Sequence, residues 1–182
     1  MTTIPPVEVQ ELIDTAVQRA VLRYVGPAAP GVCSVYAYVG AHVLTEITEH
    51  NFAHVAGEFT LGTKDDGVGV GFKADRHTSG GAGYHAIAGC FEDEEDPVLV
   101  DFAARRYPEY AAEQGLPWPA ERRRNFEWFR FSERPPWWVM GFEPSKELTR
   151  RAFAQLIGDP RVEGLIRDAV LEVKEELRKR AL

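Results

Sequence analysis

Hydrophobic positions recur at helical spacing in two stretches near the N-terminus. The run VEVQELIDTAVQRAVLRYV, residues 7–25, follows two prolines and predicts a first helix. The segment GPAAPG comes next and interrupts it, because proline and glycine break helices. From Val32 onward the pattern predicts a second helix, with one apolar face and polar residues on the other, namely His42, Glu46 and Glu49.

After the second helix the pattern changes to the alternation typical of β-strands. Residues 52–62 predict one strand, and residues 84–92 and 97–104 predict two more that are joined by the acidic turn EDEED. The glycine-rich stretch of residues 62–83 favours a hairpin excursion or a mobile loop. Its segment GVGVGF has no strand-then-helix context, so we do not interpret it as a dinucleotide-binding loop.

The C-terminal part is irregular at first and then helical. Residues 107–142 are rich in aromatic residues and proline, and we expect irregular structure there. Their tryptophans belong either to the core or to the wall of an acyl-binding groove. Ser145 is the predicted N-cap of a helix over residues 146–157, and Pro160 begins a last helix whose final turn is basic.

The order of these elements predicts the fold class. Helices followed by hairpin-connected strands indicate an α+β fold with an antiparallel sheet, since a parallel sheet requires regular βαβ alternation. The chain of 182 residues is long enough for one sizeable core, so we expect a single domain over residues 1–182.

Composition and charge exclude several classes of protein. A hydrophobic content of 45% with 27% charged residues is typical of a folded globular protein. The net charge of -7 argues against a nucleic-acid-binding surface, and we interpret the short basic run of residues 122–124 as a solvated helix face. No stretch approaches the ~18 apolar residues that cross a bilayer, so we expect no membrane partner. With only two cysteines a disulfide framework is excluded, and we expect a cytoplasmic protein with reduced thiols.

Cys33 stands at the predicted start of the second helix, in the sequence GVCSVYAY. A buried cysteine there is either a small core residue or a nucleophile, because a helix N-terminus favours the reactive thiolate. A nucleophile also needs a base and a group that orients the base. His85 and Asp101 lie on the two adjoining strands. If the acidic turn centres this hairpin near residue 94, both side chains share a face and lie within reach of each other.

This arrangement resembles the transglutaminase-like and arylamine N-acetyltransferase branch of the papain-like fold. In that family a cysteine starts a helix, a histidine begins a strand, and an aspartate stands between hydrophobic residues on the next strand. The matching stretches are Cys33-Ser34-Val35-Tyr36-Ala37, Ala53-His54-Val55-Ala56-Gly57, His85-Ala86-Ile87 and Leu99-Val100-Asp101-Phe102. The chain departs from the family at two positions, with Ile87 where a tryptophan is frequent and Phe102 where a proline is common.

The resemblance implies a cysteine enzyme without a cofactor. It makes Cys33 the nucleophile, His85 its base and Asp101 the orienting group, within a catalytic core of about residues 30–104 and an extension of about residues 105–182. The implied reaction is hydrolysis or acyl transfer through a thioester, on a peptide, protein or amide-type small molecule. The backbone N–H of Cys33 is one natural oxyanion donor, with Tyr24 or Gln18 on the preceding helix considered as a second.

Two other functions remain open at this point. The same scaffold could serve as a non-enzymatic binding or regulatory domain. A metallohydrolase is a weaker alternative, in which His54 joins Cys33, His85 and Asp101 as a ligand, although no close ligand pair typical of zinc sites is present. We expect Cys90 to face away from His85, because the two positions differ by five, an odd number, on one strand.

Overall fold

The structure is a computed structural model of the chain. It describes residues 4–26, 32–63, 69–72, 84–113, 115, 117–120, 123–133 and 138–180.

Within these residues the chain forms helices at both ends and strands between them. The helices are α1 (Val7–Val25), α2 (Cys33–Thr48), α3 (Tyr107–Glu113), α4 (Lys146–Phe153) and α5 (Pro160–Arg180), with a 3-10 turn at Ala104–Arg106. The strands are β1 (Phe52–Thr63), β2 (Gly69–Phe72), β3 (His85–Cys90), β4 (Val98–Asp101), β5 (Glu127–Arg130) and β6 (Trp138–Pro144). No helix in this part of the chain is long and apolar enough to span a bilayer.

The strands form one antiparallel sheet, which confirms the α+β class. Its order is β2-β1-β3-β4-β5, and β6 also pairs with β1. In the β3–β4 hairpin Cys90 pairs with Val98 and Ala88 pairs with Val100, so the hairpin is centred at residue 94 as predicted. The pairing of β2 with β1 confirms the hairpin excursion, while the rest of residues 64–83 lies outside the described residues.

The two faces of the sheet bury two different apolar clusters. Alternate strand residues point to opposite faces, and Ala86, Ala88 and Cys90 face the main core with α1, α2, α4 and α5. Ile87 and Leu99 face a smaller cluster that is covered by α3. Cys90 is therefore a buried thiol in the main core, on the face away from His85.

Helix α2 lies at the centre of the main core. Every side chain from Cys33 to Ala41 is buried, so its first turns have no solvent face at all. The predicted polar face exists only in the second half of the helix, where His42 and Glu46 are exposed, and at the exposed residue Glu49 that follows the helix. This burial fixes the position of the Cys33 end of the helix relative to the sheet.

Three predictions for the C-terminal part are wrong. The stretch 107–142 is not irregular, because it contains α3, β5 and the beginning of β6. The apolar patterns of these three elements are too short to predict them from the sequence. Helix α4 is capped by Ser145 as predicted, but it ends at Phe153 and gives way to turns that finish at Gly158 with φ 77°. Arg123 and Arg124 are exposed as predicted but are not helical.

Candidate active site

Cys33 is the first residue of α2. Its side chain is only 6% exposed, and the first backbone hydrogen bond of the helix runs from Tyr36 N–H to Val32 O at 3.0 Å. The N–H groups of Cys33 and Ser34 precede that bond, and such groups have no acceptor within their own helix. The thiol therefore lies at the electropositive end of a buried helix.

His85 and Asp101 meet at the ends of neighbouring strands. His85 begins β3 and Asp101 ends β4, and their side chains lie on the same face of the sheet. His85 Nε2 is 2.5 Å from Asp101 Oδ2, and the two side chains are 0% and 4% exposed. The structure thus brings together the two residues that the sequence placed on adjoining strands.

The carboxylate of Asp101 accepts two further hydrogen bonds. The backbone N–H of Ala103 donates to Oδ1 at 2.8 Å, and the Tyr107 hydroxyl donates to Oδ2. A buried carboxylate is costly unless donors surround it, and here the donors come from β3, from the turn after β4 and from α3. The orientation of Asp101 is therefore fixed from three directions.

Cys33 interacts with the same imidazole. Burial lowers the pKa of His85. Asp101 and Cys33 outweigh this effect, each through its charge and a hydrogen bond, and they raise the pKa to about 10. His85 is therefore an imidazolium at neutral pH. Because Nε2 binds Asp101, Nδ1 is the ring nitrogen that remains for the thiol.

Aromatic rings enclose the imidazole. The Phe59 ring lies 4.7 Å from the ring of His85, and the Tyr107 ring lies 6.1 Å from it. Trp118 contacts the far side of Tyr107 at 5.7 Å. These contacts hold the plane of His85 between its two partners and exclude water from the pair.

Two more tyrosines surround the thiol. The charge of Cys33 contributes to a raised pKa at Tyr84 and at Tyr110, after burial as the largest cause at both. The Tyr84 hydroxyl also forms a hydrogen bond with the side chain of Ser34, next to Cys33 in sequence. Sequence analysis did not single out these tyrosines; adjacency to His85 was the one available signal for Tyr84, whereas Tyr110 belongs to the unpredicted helix α3.

Glu127 is a second carboxyl group beside Asp101. The two residues are direct partners in the β4–β5 register and so share a face. Burial and the charge of Asp101 raise the pKa of Glu127 to about 8, although Arg124 lowers it. The short strand β5 was not predicted, so no signal in the sequence placed Glu127 here.

The remaining sequence-predicted residues lie elsewhere. His54 contacts Tyr38 at 4.8 Å, His42 at 5.8 Å and Phe153 at 4.4 Å between ring centroids, in the main core. Tyr24 donates its hydroxyl proton to Asp159 Oδ2 at 2.9 Å, at the start of α5. Within the described ranges no group of three or more His, Cys, Asp or Glu side chains is arranged to hold a metal ion.

The predicted tryptophan groove is only partly described. Trp128 packs at 6.5 Å from Phe52 against the main core, while Trp118 lies beside Tyr107 near the site. Trp137 lies outside the described residues.

Comparison with known proteins adds the fold alone. No protein-family model matches the chain, and no curated protein matches it. The chain is similar to a solved structure described as "The crystal structure of genomics APC5867", with a TM-score of 0.62 and 16% identity over 92% of this chain and 78% of that one. At this identity the likeness concerns the arrangement of helices and strands.

Proposed function

We propose that the protein is a thiol-dependent hydrolase or acyltransferase in which Cys33, His85 and Asp101 form a catalytic triad. The observation that carries the proposal is the position of one buried imidazole between two partners. Asp101 binds its Nε2 at 2.5 Å, and Cys33 interacts with the same side chain from a helix N-terminus. A nucleophile, a base and an orienting group in this order are what covalent catalysis by a thiol requires.

Electrostatics support a reactive thiol. A cationic imidazole and a helix N-terminus both favour the thiolate, which is the nucleophilic form of cysteine. The raised pKa of His85 keeps that cation in place at neutral pH. Cys90 provides the comparison within this chain, because it is buried in the main core on the face of the sheet away from His85.

The reaction begins with the Cys33 thiolate attacking the carbonyl carbon of an ester, thioester or amide. A C–S bond forms, and the carbonyl oxygen becomes an oxyanion that the N–H groups at the start of α2 are placed to stabilise. His85 then gives its Nδ1 proton to the leaving nitrogen, oxygen or sulfur as the bond to that atom breaks. The product of this half-reaction is a thioester on Cys33 and a neutral imidazole.

The second half-reaction returns the site to its starting state. Water or an amine attacks the thioester carbon and loses a proton to His85, and the C–S bond breaks to release the Cys33 thiolate. Asp101 keeps the imidazole oriented throughout, with Tyr107 and Ala103 donating hydrogen bonds to its carboxylate. No cofactor takes part in these steps.

The order of elements supports a papain-like fold of the transglutaminase-like branch for this site. A cysteine at the start of a central helix precedes antiparallel strands, and these strands carry the histidine and then the aspartate. This is the order on which the sequence resemblance rests. A peptide, a protein side-chain amide or an amide-type small molecule is the substrate class that follows from it.

Alkylation with iodoacetamide tests the thiol directly. In a Cys90→Ala background only Cys33 carries a thiol, and we expect it to react at pH 6, where an ordinary thiol with a pKa of ~8.5 is almost wholly protonated. Mass spectrometry of the labelled protein measures the rate. Exposure to an activated ester such as p-nitrophenyl acetate should leave one acetyl group on Cys33.

The controls separate an enzyme from a binding domain. His85→Gln should abolish fast labelling at pH 6, while His50→Gln, at a histidine paired with Glu92 on the surface, should leave it unchanged. Circular dichroism establishes that both variants are folded. Slow labelling with the pH dependence of an ordinary thiol, unaffected by His85→Gln, would favour a non-enzymatic domain and end the proposal.

A further inference from the structure

A second carboxyl group lies next to Asp101 on the neighbouring strand. Glu127 is the direct cross-strand partner of Asp101, and its side chain is half-buried on the face of the sheet that carries the site. The catalytic steps described above do not use it. A carboxyl group next to a buried carboxylate is unfavourable, because two like charges at this spacing repel each other. Such a pair therefore indicates a functional role.

Within the residues that the structure describes, the charged and titratable groups near Glu127 come from β4, from α3 and from the segment before β5. Asp101 faces it from β4, the Tyr107 phenol faces it from α3, and Arg124 lies on the segment before β5. Asp101 joins Glu127 to the imidazole, since the same carboxylate binds His85 Nε2 at 2.5 Å. Any charge that appears on Glu127 therefore acts on Asp101 first and on His85 through it.

We propose that Glu127 is a positioning residue that sets how tightly the Asp101 carboxylate holds the His85 proton, and so sets the upper pH limit of the Cys33–His85 pair. This inference rests on the proposed function. With Glu127 neutral, Asp101 is the single negative charge behind the imidazole. When Glu127 ionises, two negative charges stabilise the imidazolium.

The consequence differs between the two steps that His85 serves. A more strongly held proton keeps the imidazolium, and with it the Cys33–His85 ion pair, intact at higher pH. The same proton is harder to transfer to a leaving group, so acid catalysis becomes slower. Since burial and Asp101 place the pKa of Glu127 at about 8, the change should begin slightly above neutral pH.

Titration of the histidine ring by NMR tests the inference. In the wild-type protein the His85 resonances should show a small step near pH 8, from Glu127, before the ring itself loses its proton. In Glu127→Gln, which has the shape of the protonated side chain, the step should be absent, and the His85 midpoint should fall by on the order of one pH unit. Glu127→Asp should retain a step, because it retains a carboxyl group.

A matched control removes the same charge elsewhere. Glu133 is exposed beyond the other end of β5, and Glu133→Gln should leave both the step and the midpoint unchanged. If Glu127→Gln titrates like the wild type, the inference is wrong even if His85 still controls labelling of Cys33. If His85 does not affect Cys33 at all, the proposed function fails instead, and the two failures are distinguishable.

Discussion

Two histidines of this protein have opposite electrostatic environments. His85 is fully buried between Asp101 and Cys33, and its pKa is raised to about 10. His54 is half-buried in the main core, and burial together with the charge of His42 lowers its pKa to about 4. Both lie on neighbouring strands of one sheet, and each has a phenylalanine ring within 5 Å, at 4.7 Å for His85 and 4.4 Å for His54.

The comparison separates the effect of burial from the effect of a partner. Burial lowers the pKa of both rings, and aromatic contacts are common to both, so neither explains the difference. His85 has two partners that His54 lacks, the carboxylate of Asp101, which has the larger effect on the pKa, and the side chain of Cys33. In this fold burial alone therefore favours a neutral histidine, whereas a charged partner keeps the imidazole protonated.

Asp101→Asn should have the largest effect, because it removes the charge that distinguishes the two sites. Without it, burial dominates at His85 as it does at His54, and the imidazolium is lost at neutral pH. The rate of acetyl transfer from an activated ester should fall by roughly 10³- to 10⁴-fold, as expected when the orienting carboxylate of a triad is lost. Steady-state kinetics and the NMR midpoint of His85 measure the two consequences.

The matched control for this change is Asp96→Asn, in the same hairpin. Asp96 accepts hydrogen bonds from Ser132 and pairs with Arg130, away from the site, so its loss should not alter the rate. A His85 midpoint that stays high in Asp101→Asn would show that Cys33 alone sustains the imidazolium. That outcome would contradict the comparison.

His54→Phe tests the other half of the comparison through acid stability. His54 binds a proton at its ordinary pKa of 6.5 when unfolded but only near 4 when folded. As the pH falls from 6.5 towards 4, the unfolded chain takes up more protons, so the free energy of unfolding falls. The loss is about 1–2 kcal/mol, since the ring is partly screened by solvent, and His54→Phe should remove it.

His85 contributes with the opposite sign. Its contribution to stability is complete below pH 6.5 and is lost as the pH rises towards 10. Urea denaturation between pH 4 and 7 therefore avoids the range in which His85 loses its proton. The difference between His54→Phe and the wild type in this range measures His54, and His50→Gln at the surface is the matched control. An acid-side stability curve that is the same in His54→Phe and the wild type would refute the role assigned to this ring.

Helices α1, α2 and α5 and the central hairpin were predictable because their patterns are long or are bounded by clear signals. The limits of α1 agree with the apolar run, and the acidic turn fixed the register of β3 and β4. That register is what places His85 and Asp101 on one face of the sheet. Side chains alternate strictly between the two faces of a strand, so the position of the turn predicts which residues of a hairpin share a face.

The surroundings of the triad were not predictable from the same patterns. Tyr107 and Glu127 lie in a seven-residue helix and a four-residue strand, too short for a periodic signal among prolines and tryptophans. Their positions depend on tertiary packing, because α3 covers the second face of the sheet and β5 is an edge strand. The sequence therefore indicates the groups proposed to react, while the groups that surround them require the fold.

Tyr107→Phe should have the smallest effect and sharpens the comparison at the level of one hydrogen bond. The variant retains the ring that contacts His85 and Trp118 but removes the hydroxyl that donates to Asp101. Asp101 keeps the bonds from His85 and Ala103, so we expect a loss of about 1 kcal/mol in the free energy of unfolding and a several-fold lower acetyl-transfer rate. Since the carboxylate then has fewer donors, its hydrogen bond with the imidazolium becomes stronger, and the His85 midpoint should stay high while the rate falls.

Tyr36→Phe is the control for removing a phenol, because Tyr36 is a buried tyrosine whose ring lies beneath Arg105. A drop in the His85 midpoint only in Tyr107→Phe would show that the hydroxyl itself sustains the charge of the pair.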